Sequence, residues 1–125
     1  VLRRVADQVQ ARLRPTDTLY RYGGEEFIVV AENTSLSQAS FLAEGIRQLI
    51  AGYKGDQRQA EIDLTVSIGV AQLRADESTN SMVDRADKAL YKAKSMGRNW
   101  VCFDGEHELD DAELPADLVS RQAAG

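Results

Sequence analysis

The chain has 125 residues, the size of one ordinary domain, and at 43% hydrophobic and 28% charged it is too apolar for a disordered segment. It is also too polar for a membrane protein: its longest unbroken apolar run, Phe27 to Ala31, has five residues where a spanning helix needs roughly 20. The net charge of −5 is unevenly placed, with −6 carried from Asp104 onward and +1 by residues 1–103, so the body lacks the basic face of a nonspecific nucleic-acid binder but can still take a small anionic ligand.

Val1 to Leu13 sets Val1, Val5, Val9 and Leu13 at steps of four with Leu2 and Ala6 beside them, one apolar stripe of a helix. This is not the apolar core and small-residue cleavage site of a leader. Pro15 ends the helix, because the residue before a proline is pushed out of helical geometry. Thr18 to Tyr22 reads as a short strand, Gly23-Gly24 as a turn and Phe27 to Ala31 as a second strand, together a β-hairpin.

Ser35 is an N-cap for a helix whose expected buried face is Ala39, Leu42, Ala43, Ile46, Leu49 and Ile50, closed by Gly52 and Gly55. After a polar connection, Lys54 to Glu61, the residues Ile62, Leu64, Val66, Ile68 and Val70 alternate with smaller or polar ones, a strand with one core face. A third helix is expected from about Ser81 to Met96, with Met82, Ala86, Ala89, Leu90 and Ala93 inward and Gly97 as its left-handed stop. Asn99 to Phe103 is the last strand. Cys102, the only cysteine, has no partner in the chain for a disulfide, which suits a reducing cytoplasm. The acidic tail, residues 104–125, has too few large apolar residues to build anything of its own and reads as flexible. Tyr91 and Trp100 are expected in the core, and the single histidine, His107, in solvent. The order of elements gives an α/β (α+β) sandwich, with helices packed on a mostly antiparallel sheet.

The chemistry concentrates in Gly23-Gly24-Glu25-Glu26-Phe27. Adjacent glycines at a hairpin tip let a phosphate or base approach the backbone. The two carboxylates that follow can hold a hard cation through oxygen, which stabilises a phosphate and acidifies a hydroxyl. The same string also fits a type I′ turn followed by solvated charges. Lys94 and Arg98, four residues apart across the end of the third helix, can clamp a polyphosphate through charge-assisted hydrogen bonds; the alternative is that they only offset the helix dipole. Arg14-Pro15-Thr16-Asp17 puts an arginine fork and a carboxylate in a proline-stiffened turn, a pairing able to read a guanine edge and a phosphate.

Three blocks resemble the GGDEF family of diguanylate cyclase domains: Arg21 to Phe27, Thr65 to Ala71, and Arg85 to Lys94 with Gly97-Arg98-Asn99. Their order and spacing follow the family over residues 1–103, which places the acidic tail outside the domain. The resemblance implies an adenylate-cyclase-like palm that condenses two GTP into cyclic di-GMP and two pyrophosphates, using Mg²⁺ or Mn²⁺. Each domain holds one GTP, so a second GGDEF domain, as in a homodimer, is the implied partner. By motif position Glu25 and Glu26 are the catalytic metal ligands, with Glu25 also helping to deprotonate the attacking hydroxyl. Gly23 and Gly24 line the nucleotide, and Lys94 and Arg98 take its β- and γ-phosphates.

The resemblance also makes Arg14 and Asp17, nine and six residues before Gly23, a product-binding inhibitory site. The second arginine that relatives often bring to that site from the following helix is Gly45 here. Arg47, two residues on, stands about 200° around the helix. Family members begin with a strand bearing a metal-binding aspartate, followed by guanine-reading residues, and the present sequence starts after both. Little cyclase activity is therefore expected of these 125 residues alone. A longer parent protein with an upstream regulatory domain is expected to carry the activity. The alternative is a non-catalytic module that binds cyclic di-GMP through Arg14 and Asp17.

Overall fold

The structure, a computed structural model, describes residues 2–23, 26–52, 65–104 and 111–116. Gly24, Glu25, Gly55, the polar connection from Lys54, the strand positions Ile62 and Leu64, His107 and most of the acidic tail lie outside the described residues. The chain divides into two compact units, Val1–Thr34 and Ser35–Gly125.

The first unit runs α1 (Leu2–Arg12), β1 (Thr18–Gly23) and β2 (Glu26–Val30). Helix α1 buries Val5 and Val9, the middle of the expected stripe. It stops where Pro15 requires, and residues 14–17 form a turn closed by Asp17 N–H to the Arg14 carbonyl at 2.9 Å; proline at the second position of such a turn presets φ. Strands β1 and β2 pair antiparallel, with Thr18 opposite Val30 and Arg21 opposite Phe27. The register then shifts, so that Gly23 faces Glu26. Gly23 is thus the last residue of a strand rather than half of the expected Gly23-Gly24 turn, and Glu26 is the first residue of the next.

In the second unit, α2 (Leu36–Ala51), β3 (Ile68–Val70), α3 (Thr79–Ser95) and β4 (Val101–Phe103) are followed by a 3-10 turn, Asp111–Glu113. Ser35 caps α2 as expected, in a capping box: its side chain accepts from Gln38 N–H while the Gln38 side chain accepts from Ser35 N–H. Gly52 closes the helix. Ser78 caps α3 through its hydroxyl, which accepts from Ser81 N–H, so this helix starts slightly before the expected Ser81. Strands β3 and β4 pair parallel, Ile68 with Val101 and Val70 with Phe103, and α3 is the crossover that a parallel pair requires.

The two strands lie between two helices. Val70, Val101 and Phe103 pack with Leu36 and Ala43 of α2, while Cys102 packs with Ala89 and Ala93 of α3 and with Trp100. Neighbouring residues of β4 thus serve opposite cores, and all three are buried, as in a strand covered on both faces. The helices on a small sheet match the α/β expectation. The described strands contribute one antiparallel and one parallel pair.

Several expectations need correction. The strand expected from Ile62 begins, among the described residues, only at Ile68. Its partner explains this: Arg98 and Asn99, which precede β4, are left-handed at φ 62° and 50° and cannot continue a ladder, so Thr65 to Ser67 have no extended neighbour there. Tyr91 is 76% exposed, because it stands two residues, about 200°, from Ala89 and Ala93 on α3. On α2 the buried row includes Ser40, Glu44 and Arg47, whereas Leu42 and Leu49 are only half-buried. Part of the tail also has structure: Leu114 is buried in the α2-side core, and the Ser37 hydroxyl donates to the Glu113 carbonyl. Among the described residues no helix is long and apolar enough to cross a membrane.

Candidate functional site

The hairpin of the first unit positions the acidic string. Because Gly23 and Glu26 face each other, only Gly24 and Glu25 connect the strands, the shortest common hairpin loop and one that favours glycine. The register shift between Arg21 and Gly23 gives β1 one residue more than its partner, a bulge of the kind that re-aims side chains beside functional sites. Glu26 is half-buried at the start of β2. Glu25 and Gly24 lie outside the described residues.

The same unit assembles the Arg14–Asp17 pair in detail. The Asp17 side chain is 1% exposed and the Arg14 side chain 53%. Arg14 donates from Nε to Asp17 Oδ2 at 3.3 Å and from Nη2 to Oδ1 at 3.1 Å, and its backbone N–H reaches Oδ2 at 2.9 Å. The Arg14 side-chain bonds, with its backbone N–H and its charge, hold the Asp17 carboxyl below the ordinary range against the opposing effect of burial. Arg14 Nη2 also donates to the Glu32 carbonyl at 3.2 Å and to Thr34 Oγ1 at 2.6 Å. The guanidinium is therefore held in one orientation, with one side exposed.

In the second unit Lys94 lies in the last turn of α3, and Arg98 lies beyond its end. Gly97 N–H donates to the Lys94 carbonyl at 3.3 Å and Arg98 N–H to the Ala93 carbonyl at 3.3 Å, the two bonds of a Schellman ending. Gly97, at φ 108°, is the expected left-handed stop. The spacing of four between Lys94 and Arg98 is consequently not a helical one: the chain has reversed its twist between them. The Lys94 side chain is half-buried and that of Arg98 exposed.

Two groupings escaped the sequence reading. Arg47 donates from Nε to Glu44, with both side chains buried, and from Nη1 to Asn99 Oδ1 at 2.9 Å. The available signal was a Glu–Arg pair three apart on an otherwise apolar helical face. The other grouping centres on Arg85, which donates from Nε to Glu77 Oε2 at 2.7 Å, from Nη1 to Asp104 Oδ2 at 2.8 Å and from Nη2 to the Gln72 carbonyl at 2.6 Å. It ties the segment between β3 and α3 to the end of β4. Its only sequence signal was its place in a block shared with the family.

Among the described residues no group of three or more metal-ligating side chains gathers. The Glu25-Glu26 donor set nevertheless fits Mg²⁺ or Mn²⁺, because Mg²⁺ is commonly held by one or two carboxylates together with substrate phosphates.

Residues 1–100 match the family model described as diguanylate cyclase, GGDEF domain. The chain is 47% identical over 102 residues to diguanylate cyclase A of Treponema denticola, covering 81% of this chain and 28% of that protein. It is 36% identical over 104 residues to the response regulator PleD of Caulobacter vibrioides, covering 81% of this chain and 23% of that one. The chain thus spans about a quarter of the length of these two relatives. Among solved structures, the active GGEEF domain of a diguanylate cyclase from Vibrio cholerae superposes with a TM-score of 0.74 at 36% identity, over 82% of this chain and 65% of that one. The coiled coil and GGDEF domain of DgcB from Caulobacter crescentus, solved in complex with c-di-GMP, gives 0.76 at 31% identity, over 82% and 56%. With its family model matched over residues 1–100 and its fold shared with solved members, the chain belongs to the GGDEF family of diguanylate cyclase domains.

Proposed function

We propose that this chain is part of a diguanylate cyclase that joins two GTP molecules into cyclic di-GMP. The observation that carries this reading is the hairpin in which Gly23 faces Glu26, which sets the string Gly23-Gly24-Glu25-Glu26 at a strand-to-strand tip in a domain of this family. Gly23 and Gly24 leave room for the nucleotide to lie against the backbone. Glu25 and Glu26 are the residues that would hold Mg²⁺ or Mn²⁺, which when bound neutralises phosphate charge and lowers the pKa of a hydroxyl. Glu25 takes the proton from the 3′-hydroxyl of one GTP as that oxygen bonds to the α-phosphorus of the other. The bond to pyrophosphate breaks, and a second such step closes the ring. Lys94 and Arg98 bind the β- and γ-phosphates, so they hold the leaving group. Each GTP comes from one domain of a pair.

In the full-length protein, Glu25→Ala should lower cyclic di-GMP formation from GTP and Mg²⁺ by about 10² to 10⁴, measured by chromatography of the products. Absence of product from the wild-type full-length protein, even when dimerisation is forced, would overturn the reading.

Arg14 and Asp17 form the product-binding inhibitory site in this proposal. Its support is the buried Asp17 and its outward-facing guanidinium partner. Helix α2 contains one arginine, Arg47, and it is committed to Glu44 and Asn99; Gly45 has no side chain to offer. Cyclic di-GMP should therefore bind more weakly here than to relatives with a second arginine. Calorimetry should show Arg14→Ala losing the binding heat, and equal heats from wild type and variant would remove the site.

The same pair supports a second reading, a module that binds cyclic di-GMP without making it. The product assay separates the two.

A further inference from the structure

Asn99 and Arg47 have no part in the reaction as proposed, yet the structure ties both to Arg98. Gly97, Arg98 and Asn99 are left-handed in succession, at φ 108°, 62° and 50°. Glycine adopts this conformation without steric cost and asparagine tolerates it, but for an arginine it is a strained state that persists only where the surroundings over-determine it.

Those surroundings are explicit. Before Arg98, the Schellman bonds from Gly97 and Arg98 N–H fix the backbone to α3. After it, Asn99 is held from two sides: its N–H donates to Ser67 Oγ at 3.1 Å, and its Oδ1 accepts from Arg47 Nη1 at 2.9 Å. The next carbonyl, that of Trp100, accepts Ile68 N–H at 2.9 Å and opens the β3–β4 ladder.

Arg47 is itself aimed. Its Nε is bound by Glu44, which is 2% exposed, and the second carboxylate oxygen of Glu44 is buried with no hydrogen bond from the described residues. A buried ion pair is a poor way to stabilise a helix on a sheet, since apolar side chains of similar size do as well or better. What it supplies here is a rigid donor, directed at Asn99.

We infer that Glu44, Arg47 and Asn99 form a strut that fixes the left-handed Arg98 and so aims its guanidinium at the terminal phosphates of the substrate. Arg47 and Asn99 are positioning residues; the inference rests on the assignment of Arg98 to those phosphates.

The test uses the full-length protein, with Mg²⁺ and GTP for kinetics and a non-hydrolysable GTP analogue for binding. Asn99→Gly keeps the left-handed backbone accessible and removes the side chain that carries the acceptor. It should raise KM and the analogue Kd about tenfold, with kcat changed far less. Glu44→Met combined with Arg47→Met removes the donor without stranding a buried charge, and should give the same split if Asn99→Gly proves poorly folded. On an Arg98→Ala background neither change should weaken binding further, because residues acting through one group are not additive. A wild-type Kd in Asn99→Gly, or a fall in Tm alone, would overturn the strut and leave the role of Arg98 standing. So would an equal loss on top of Arg98→Ala. If Arg98→Ala itself leaves the Kd unchanged, the phosphate assignment fails and the strut has nothing to position.

Discussion

Glu77 sits just before α3 and accepts hydrogen bonds from Arg85, from Ser81 Oγ at 2.8 Å and from Arg74 N–H at 3.1 Å. The bonds from Arg85 are the main cause, and with these other donors they bring its carboxyl from an ordinary 4.5 down to about 2, against the opposing effect of burial. A carboxyl with a lowered folded pKa stabilises the fold above its unfolded pKa and loses that contribution as pH falls through the folded one. The melting temperature should therefore drop between about pH 4.5 and about pH 2. Glu77→Gln should make that drop shallower, as followed by circular dichroism on acidification; an unchanged slope would remove Glu77 from the acid response. At this scale the sequence was only partly readable. Ser35, Pro15 and Gly97 act locally, through a cap, a turn and a left-handed stop, and could be read from a few neighbours. Glu77–Arg85 and Arg47–Asn99 join residues 8 and 52 positions apart, and no local pattern announces such a bond.

The contact between β3 and α3 depends on one missing side chain. A Cβ on Gly69 would stand 2.2 Å from the Ala86 carbonyl oxygen and 2.3 Å from Leu90 N, and both obstacles are backbone. Gly69→Ala must push the helix off the strand, at a cost near the upper end of the usual range for overpacking, about 3 kcal/mol. Urea unfolding should show it as a lower midpoint, and an unchanged midpoint would mean that the helix yields freely. The helices themselves were legible because their caps and apolar steps coincide. The extent of strand β3 among the described residues was not, because alternation specifies a face but not a partner. Its length is set by β4, which can begin only after the left-handed Arg98 and Asn99. The face of α2 was misjudged for a related reason: hydropathy assigns Glu44 and Arg47 to solvent, whereas mutual neutralisation lets both be buried.

For the whole molecule, the proposed reaction, in which each of two domains brings one GTP, would have a rate that depends on their encounter. Specific activity of the full-length protein should then fall on about a hundredfold dilution and recover when the dimer is cross-linked, since the active species is favoured by mass action. A specific activity independent of concentration would exclude a reversible dimer as the working form. The family was legible from short blocks whose spacing the fold preserves.

Leu114 marks an edge that neither charge nor family resemblance draws. The matched domain stops at residue 100 and the acidic run starts at Asp104, yet Leu114 completes the packing around Leu36, Val101 and Phe103. Trimming the gene where the acidic run starts, at Asp104, would therefore keep β4 but remove a lid from the hydrophobic interior. The shortened product would then show Leu36 and Phe103 to water, and its aggregation could be mistaken for a defect of the catalytic domain.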